Sequence, residues 1–168
     1  MATVIHRDTF EVRRSVNTPD YGDEWIVQEP PAGPKRHWQV EGNAITTMNA
    51  TGQAAADAEH LAGRKEDRKE ELEADHMECL EHCYPANRRE ALALLLTEAM
   101  VTGNIERTAY INRVVIWAKE GRVDLYRKQD AVEAATTING VDNIQLDLDT
   151  WIADDPEVSV RTAEAIDG

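Results

Sequence analysis

Hydrophobic and polar positions change their rhythm three times along the chain. From Ala2 to Met48, short β-branched or aromatic runs stand between turn residues: Thr3–His6, Phe10–Val12 and Trp25–Val27. Runs of this length and type predict strands. Asn17-Thr-Pro-Asp-Tyr-Gly22 is turn chemistry, because Pro19 fixes φ and Gly22 permits positive φ. Glu29-Pro-Pro-Ala-Gly-Pro34 then interrupts any ladder and favours polyproline II. The clearest hairpin signal follows, with His37–Glu41 and Ala44–Met48 flanking the two-residue loop Gly42-Asn43. So small a β unit buries little surface, and it is expected to pack on a neighbour or on another copy.

The second stretch, Thr51–Cys83, has no proline and one glycine, Gly63, among many strong helix formers. As one helix it spans about 50 Å at ~1.5 Å per residue. Asn49 or Thr51 can cap it. Its middle, Gly63–Glu71, carries no apolar residue, so it reads as a solvated spacer or stalk. Ala58, Leu61, Lys65, Arg68, Leu72, His76, Cys79 and Cys83 follow an approximate 3-4 spacing. Basic residues at two of those positions argue against a strict coiled coil.

Tyr84-Pro85 ends that helix, since the residue before proline is pushed out of the α region. Asn87 is placed to cap Arg88–Val101, whose Ala91-Leu-Ala-Leu-Leu-Leu96 run, Ala99 and Met100 make it apolar on nearly every side. Such a helix belongs at the centre of a unit or in an interface. Gly103-Asn104 is a stop. A third helix is expected over Glu106–Lys119, with Gly121 bending or ending it before Val123–Ile138, which Asn139-Gly140 closes. Ile144, Leu146 and Leu148 alternate with polar residues and favour a short strand, with a helix from Leu148 as the alternative. Val158–Val160 and Ala163–Ile166 suggest an extended tail and a brief closing helix. The expected class is α+β, mostly α. A β-rich unit (1–48) precedes a long charged helix (49–84), and a helical C-terminal bundle with a short extended tail (85–168) follows.

Charge narrows the partners. A net charge of -14 argues against nucleic acid bound through its phosphates and against an anionic membrane surface. The opening MATVIHRDTFEVRR lacks the apolar run of a signal peptide, and no stretch approaches the ~18 apolar residues of a membrane helix. The expected setting is therefore a reducing cytosol, unless the chain leaves inside an assembly.

Candidate chemistry is sparse. His76, Cys79, His82 and Cys83 are the residue types zinc prefers, and on a helix His76, Cys79 and Cys83 share a face. One straight helix rarely supplies four ligands, so no metal is favoured and Cys79 and Cys83 read first as small seam residues. The sequence lacks a Ser-His-Asp signature, a P-loop, a dinucleotide fingerprint and H-E-x-x-H. Carboxylate pairs are too common in it to mark an acid–base site. Trp25, Trp38, Trp117 and Trp151 read as packing anchors. Neither catalytic residues nor a cofactor are expected. The residues expected to carry interaction are Leu92, Leu95, Leu96 and Ala99 on the apolar helix, with Trp25 and Trp38 in the β unit.

Several segments together carry a resemblance. Arg13-Arg-Ser-Val-Asn-Thr-Pro-Asp-Tyr21, Trp25-Ile-Val27, and Arg36-His-Trp-Gln-Val40 with Met48 before an alanine-rich helix start resemble small virion structural proteins of tailed bacteriophages. Ala109–Trp117, Arg127–Asp130 and Asp155–Arg161 are similar to the closing segments of such proteins. Asn49-Ala-Thr-Gly52 departs from the cleaner Ser/Thr cap followed by Glu. The resemblance implies a non-enzymatic virion component: fibre-like, a decoration protein, or a head/tail adaptor. Its expected partners are itself, with a trimer as one form, and capsid, portal or tail proteins, but not nucleic acid or membrane. The alternatives are an assembly factor such as a tail-fibre chaperone, or a small metal-binding protein built on the Cys/His cluster.

Overall fold

The computed structural model describes residues 2–15 and 22–156. The turn expected at Asn17–Gly22, except Gly22 itself, and the tail elements expected at Val158–Val160 and Ala163–Ile166 lie outside the described residues. The elements are β1 (Ala2–His6), β2 (Val12–Ser15), β3 (Trp25–Val27), a 3-10 turn (Lys35–His37), β4 (Trp38–Glu41), β5 (Ala44–Thr47), α1 (Ala50–Cys83), α2 (Ala86–Thr102), α3 (Ile105–Ala134), α4 (Ile138–Asp142) and α5 (Leu148–Ala153). The class is α+β, mostly α, with the helices in the C-terminal part. Two compact units, Met1–Ala62 and Gly63–Gly168, divide inside α1 and not at either of its ends.

In the first unit β1 is central, antiparallel to β2 and to β3, and β4–β5 form the expected hairpin with Glu41 opposite Ala44. Gly42 takes the left-handed conformation the tight loop needs (φ 59°). Ile5 and Ile26 of the three-stranded sheet meet Trp38 and Ile45 of the hairpin in one core, with Phe10 and Val12 packed against it. The Gln28 side chain joins the two sheets in place of a strand: its Nε2 donates to the Ile45 carbonyl (2.7 Å) and its Oε1 accepts from the Ile45 N–H (2.8 Å). The start of α1 belongs to this unit. Asn49 caps it by accepting from the Gly52 N–H (2.8 Å), and Asp57 accepts from Arg36 (2.5 Å) and bonds His37 (2.8 Å).

In the second unit the 3-4 spaced face of α1 turns inward. Leu72, His76 and Cys79 are buried on it. The charged middle of α1 corrects the spacer reading, because its acids and bases part company. Arg64, Lys65, Arg68 and Lys69 are half-buried, whereas Glu66, Asp67, Glu70 and Glu71 stay exposed. The bases reach polar groups that no apolar side chain could satisfy. Lys65 donates to the Glu133 carbonyl in the last turn of α3, where the helix dipole favours a cation. Arg68 donates through Nε and Nη2 to the Ile144 carbonyl (2.9 and 2.7 Å), and Arg64 pairs with Asp142 (2.6 Å).

Three local expectations change. α2 begins behind Pro85 with no side-chain cap, so Asn87 does not serve as one. Gly103 closes α2 in the left-handed region (φ 66°), and Asn104 also caps α3, accepting from the Arg107 N–H (3.0 Å). α3 runs unbroken through Gly121 to Ala134. Residues 143–151 form no strand; of the two expectations the helix from Leu148 is the one present, as α5, reached by a loop and capped by Asp147 accepting from the Thr150 N–H (3.2 Å). The reason is that Arg68 takes the Ile144 carbonyl, and all the described strands belong to the first unit.

Candidate functional site

Four rings from three helices and a junction form a ladder in the helical unit. Tyr84, between α1 and α2, meets Trp117 of α3 at 5.2 Å between centroids. Trp117 stacks on Trp151 of α5 at 4.5 Å and 15°, and Trp151 stacks on His76 of α1 at 5.1 Å and 9°. The indoles fix one another: Trp117 Nε1 donates to the Trp151 carbonyl (2.8 Å), and Trp151 Nε1 donates to the Trp117 carbonyl (3.1 Å). Gly121 makes the stack possible, since a Cβ there would overlap the Trp151 indole. Tyr84 donates to Asp155 (2.5 Å), and burial, reinforced by that carboxylate, pushes its hydroxyl pKa up.

Burial holds the His76 pKa below its ordinary value, and its Nε2 is buried with no hydrogen-bond partner among the described residues. A cavity of about 210 Å³ lies beside the ladder, lined by His76, Trp117, Trp151, Leu146 and Leu148 with carboxylates such as Glu120 and Asp124. It is smaller than the ~300 Å³ at which drug-sized ligand pockets begin. Its rings spend their faces on each other, which is what a core does.

The Cys/His cluster does not converge on one site, although Cys79 and Cys83 stay hydrogen-bonded to each other. His76 belongs to the ladder, Cys79 is buried, Cys83 is half-buried, and His82 is exposed. Among the described residues no group of three or more His, Cys, Asp or Glu side chains is placed to hold a metal ion. Burial raises the Cys79 thiol to about 11, with Cys83 adding to the effect, and it raises Cys83 as well.

The residues expected to carry interaction divide by depth. Ala99 is buried, and Trp38 is buried in the β core. Trp25 is half-buried, edge-on to His6 at 5.0 Å and beneath the Arg13 guanidinium at 4.7 Å. Leu92 and Leu96 line an apolar groove of about 260 Å³ with Leu80, Tyr84, Ile111 and Val115, while Leu95 is 38% exposed. The more strongly exposed apolar side chains lie on neighbouring positions. On α2 these are Leu94 (74% exposed), Met100 and Val101, and on α3 Ile105 (82%), Ile116, Val123 and Tyr126. For the α2 positions the signal is the all-round apolar character of that helix, which fits the centre of a unit or an interface.

No helix among the described residues is long and apolar enough to cross a membrane. Comparison with family models, with curated proteins and with solved structures found no match to this chain.

Proposed function

We propose that this protein is a non-enzymatic structural component that assembles as a homo-oligomer, of the kind its sequence resembles in the virions of tailed bacteriophages. One observation carries the reading: the α2–α3 pair turns Leu94, Met100, Val101, Ile105, Ile116 and Val123 to solvent in a chain that has an aromatic core of its own. Exposed apolar side chains on this scale, gathered on two consecutive helices, mark a surface that another protein covers. In this reading the self-stacked ladder, His76 included, is the core of the single protomer. Other virion proteins, of the capsid, portal or tail, are the further partners this reading implies.

Native mass spectrometry of the full recombinant chain, with and without a chelator, tests it. A defined oligomer whose mass ignores the chelator is expected. A folded, strictly monomeric chain at micromolar concentration overturns the reading. Protein mass spectrometry of purified particles addresses the virion assignment, and absence from them would redirect the proposal to an assembly factor.

A further inference from the structure

Inside the chain α3 uses one face, which buries Ile111, Val114, Trp117, Gly121, Leu125 and Val132. Its other side carries a second pattern. Ile105, Ala109, Asn112, Ile116, Lys119, Val123 and Tyr126 recur in alternating steps of four and three, and every one of them is exposed. That is the heptad spacing of a coiled-coil seam, with Ala109, Ile116 and Val123 at one core position and Ile105, Asn112, Lys119 and Tyr126 at the other. Along one flank stand Glu106, Arg113, Glu120 and Arg127, seven residues apart, alternating in sign and all exposed. Along the other stand Thr108, Val115, Arg122 and Gln129.

The flanks choose an orientation. In a parallel pair, opposite flanks face each other, which sets Arg122 against the partner's Arg127. In an antiparallel pair each flank meets its own counterpart. Glu106 then faces the partner's Arg127 and Arg113 faces the partner's Glu120, and two-fold symmetry repeats both pairs. The same register lays Ala109 against the partner's Tyr126, small against large, and Ile116 against the apolar stem of the partner's Lys119. A slip of one heptad in one direction sets Arg113 against its own copy, and in the other it sets Glu120 against its own copy. The charge pattern therefore fits one register of one orientation.

We propose that two copies of this chain join through an antiparallel α3–α3 coiled coil about a two-fold axis between Ile116 and Lys119. The proposal rests on the self-association reading above and names its interface. A second copy is the occupant because the pattern is complementary to its own reverse, the condition a two-fold interface imposes. Approach at this site is also electrostatically possible for a chain of net charge -14, since Ile105–Arg127 holds five bases against three acids.

Sedimentation equilibrium of the full chain tests it with Arg113→Glu, Glu120→Arg and the double variant, using circular dichroism to confirm that each folds. Either single change turns two attractive pairs repulsive and is expected to weaken dimerisation about tenfold. The double change restores opposite signs and is expected to return the affinity to near the original. Mixing the two single variants should yield heterodimers in preference to either homodimer. A weakened double variant overturns the register. An oligomer indifferent to all three variants, or a trimer, overturns this interface and leaves self-association standing. A chain monomeric throughout overturns both.

Discussion

The two faces of α3 are apolar in different ways. The inner face is specified by shape: Trp117 and Gly121 are matched to Trp151, and the match is closed by two indole hydrogen bonds to backbone carbonyls. The outer face has no such contact among the described residues, and it is marked by spacing and by the sign of its flanking charges. A helix that is apolar all round is normally read as fully buried. α3 instead carries two patterns, one satisfied by its own fold and one that the proposed dimer would cover.

Changes on the inner face should act on stability. Trp117→Ala removes the ring that joins Tyr84 to Trp151, and a loss of about 3–5 kcal/mol is expected in chemical denaturation. A loss below about 1 kcal/mol would mean that the ladder is not the core. Gly121→Ala is the subtler probe, because it adds one carbon where the Trp151 indole already lies. It should cost about 1–3 kcal/mol and alter the near-ultraviolet dichroism of the tryptophans. Unchanged spectra would show that Trp151 packs elsewhere.

How much of this was legible in the sequence depended on the range of the forces involved. The β4–β5 hairpin and the Asn49 cap follow from neighbours in the chain and were readable. The inward face of α1 was readable as a spacing, but the role of Lys65 and Arg68 on it was not, because the carbonyls they satisfy lie some seventy residues away. Gly121 read as a break because glycine weakens helices by roughly 0.5–1 kcal/mol relative to alanine. Only the distant Trp151 shows why it stands there. The alternation at Ile144, Leu146 and Leu148 favours a strand, yet it marks half-buried positions on the loop into α5 and at that helix's first residue. On α3, ending the helix at Lys119 cut the outer heptad pattern in half and hid it.

The ionic contacts around α1 offer a weaker contrast with the aromatic core. Hydrogen bonds from Arg64 and then Arg68 hold the Glu71 carboxyl far below its usual range, at about 2. A group whose folded pKa is depressed contributes stability above its unfolded pKa and loses that contribution as pH falls toward the folded value. The contribution of Glu71 is thus present above about pH 4.5 and lost between there and about pH 2. Replacing it, Glu71→Gln, should reduce the acid dependence of unfolding in that window by a small amount, since the group is exposed. An identical pH profile would mean that the bridge does not hold in solution.

The most direct test of the two-seam account compares the wild-type chain with Ile116→Glu by light scattering and thermal denaturation side by side. Ile116 is 54% exposed, so the substitution should leave stability within about 0.5 kcal/mol once the mass difference is allowed for. The account predicts an oligomeric wild type and a folded monomeric variant. Equal masses for the two proteins, or a variant that unfolds, would contradict it.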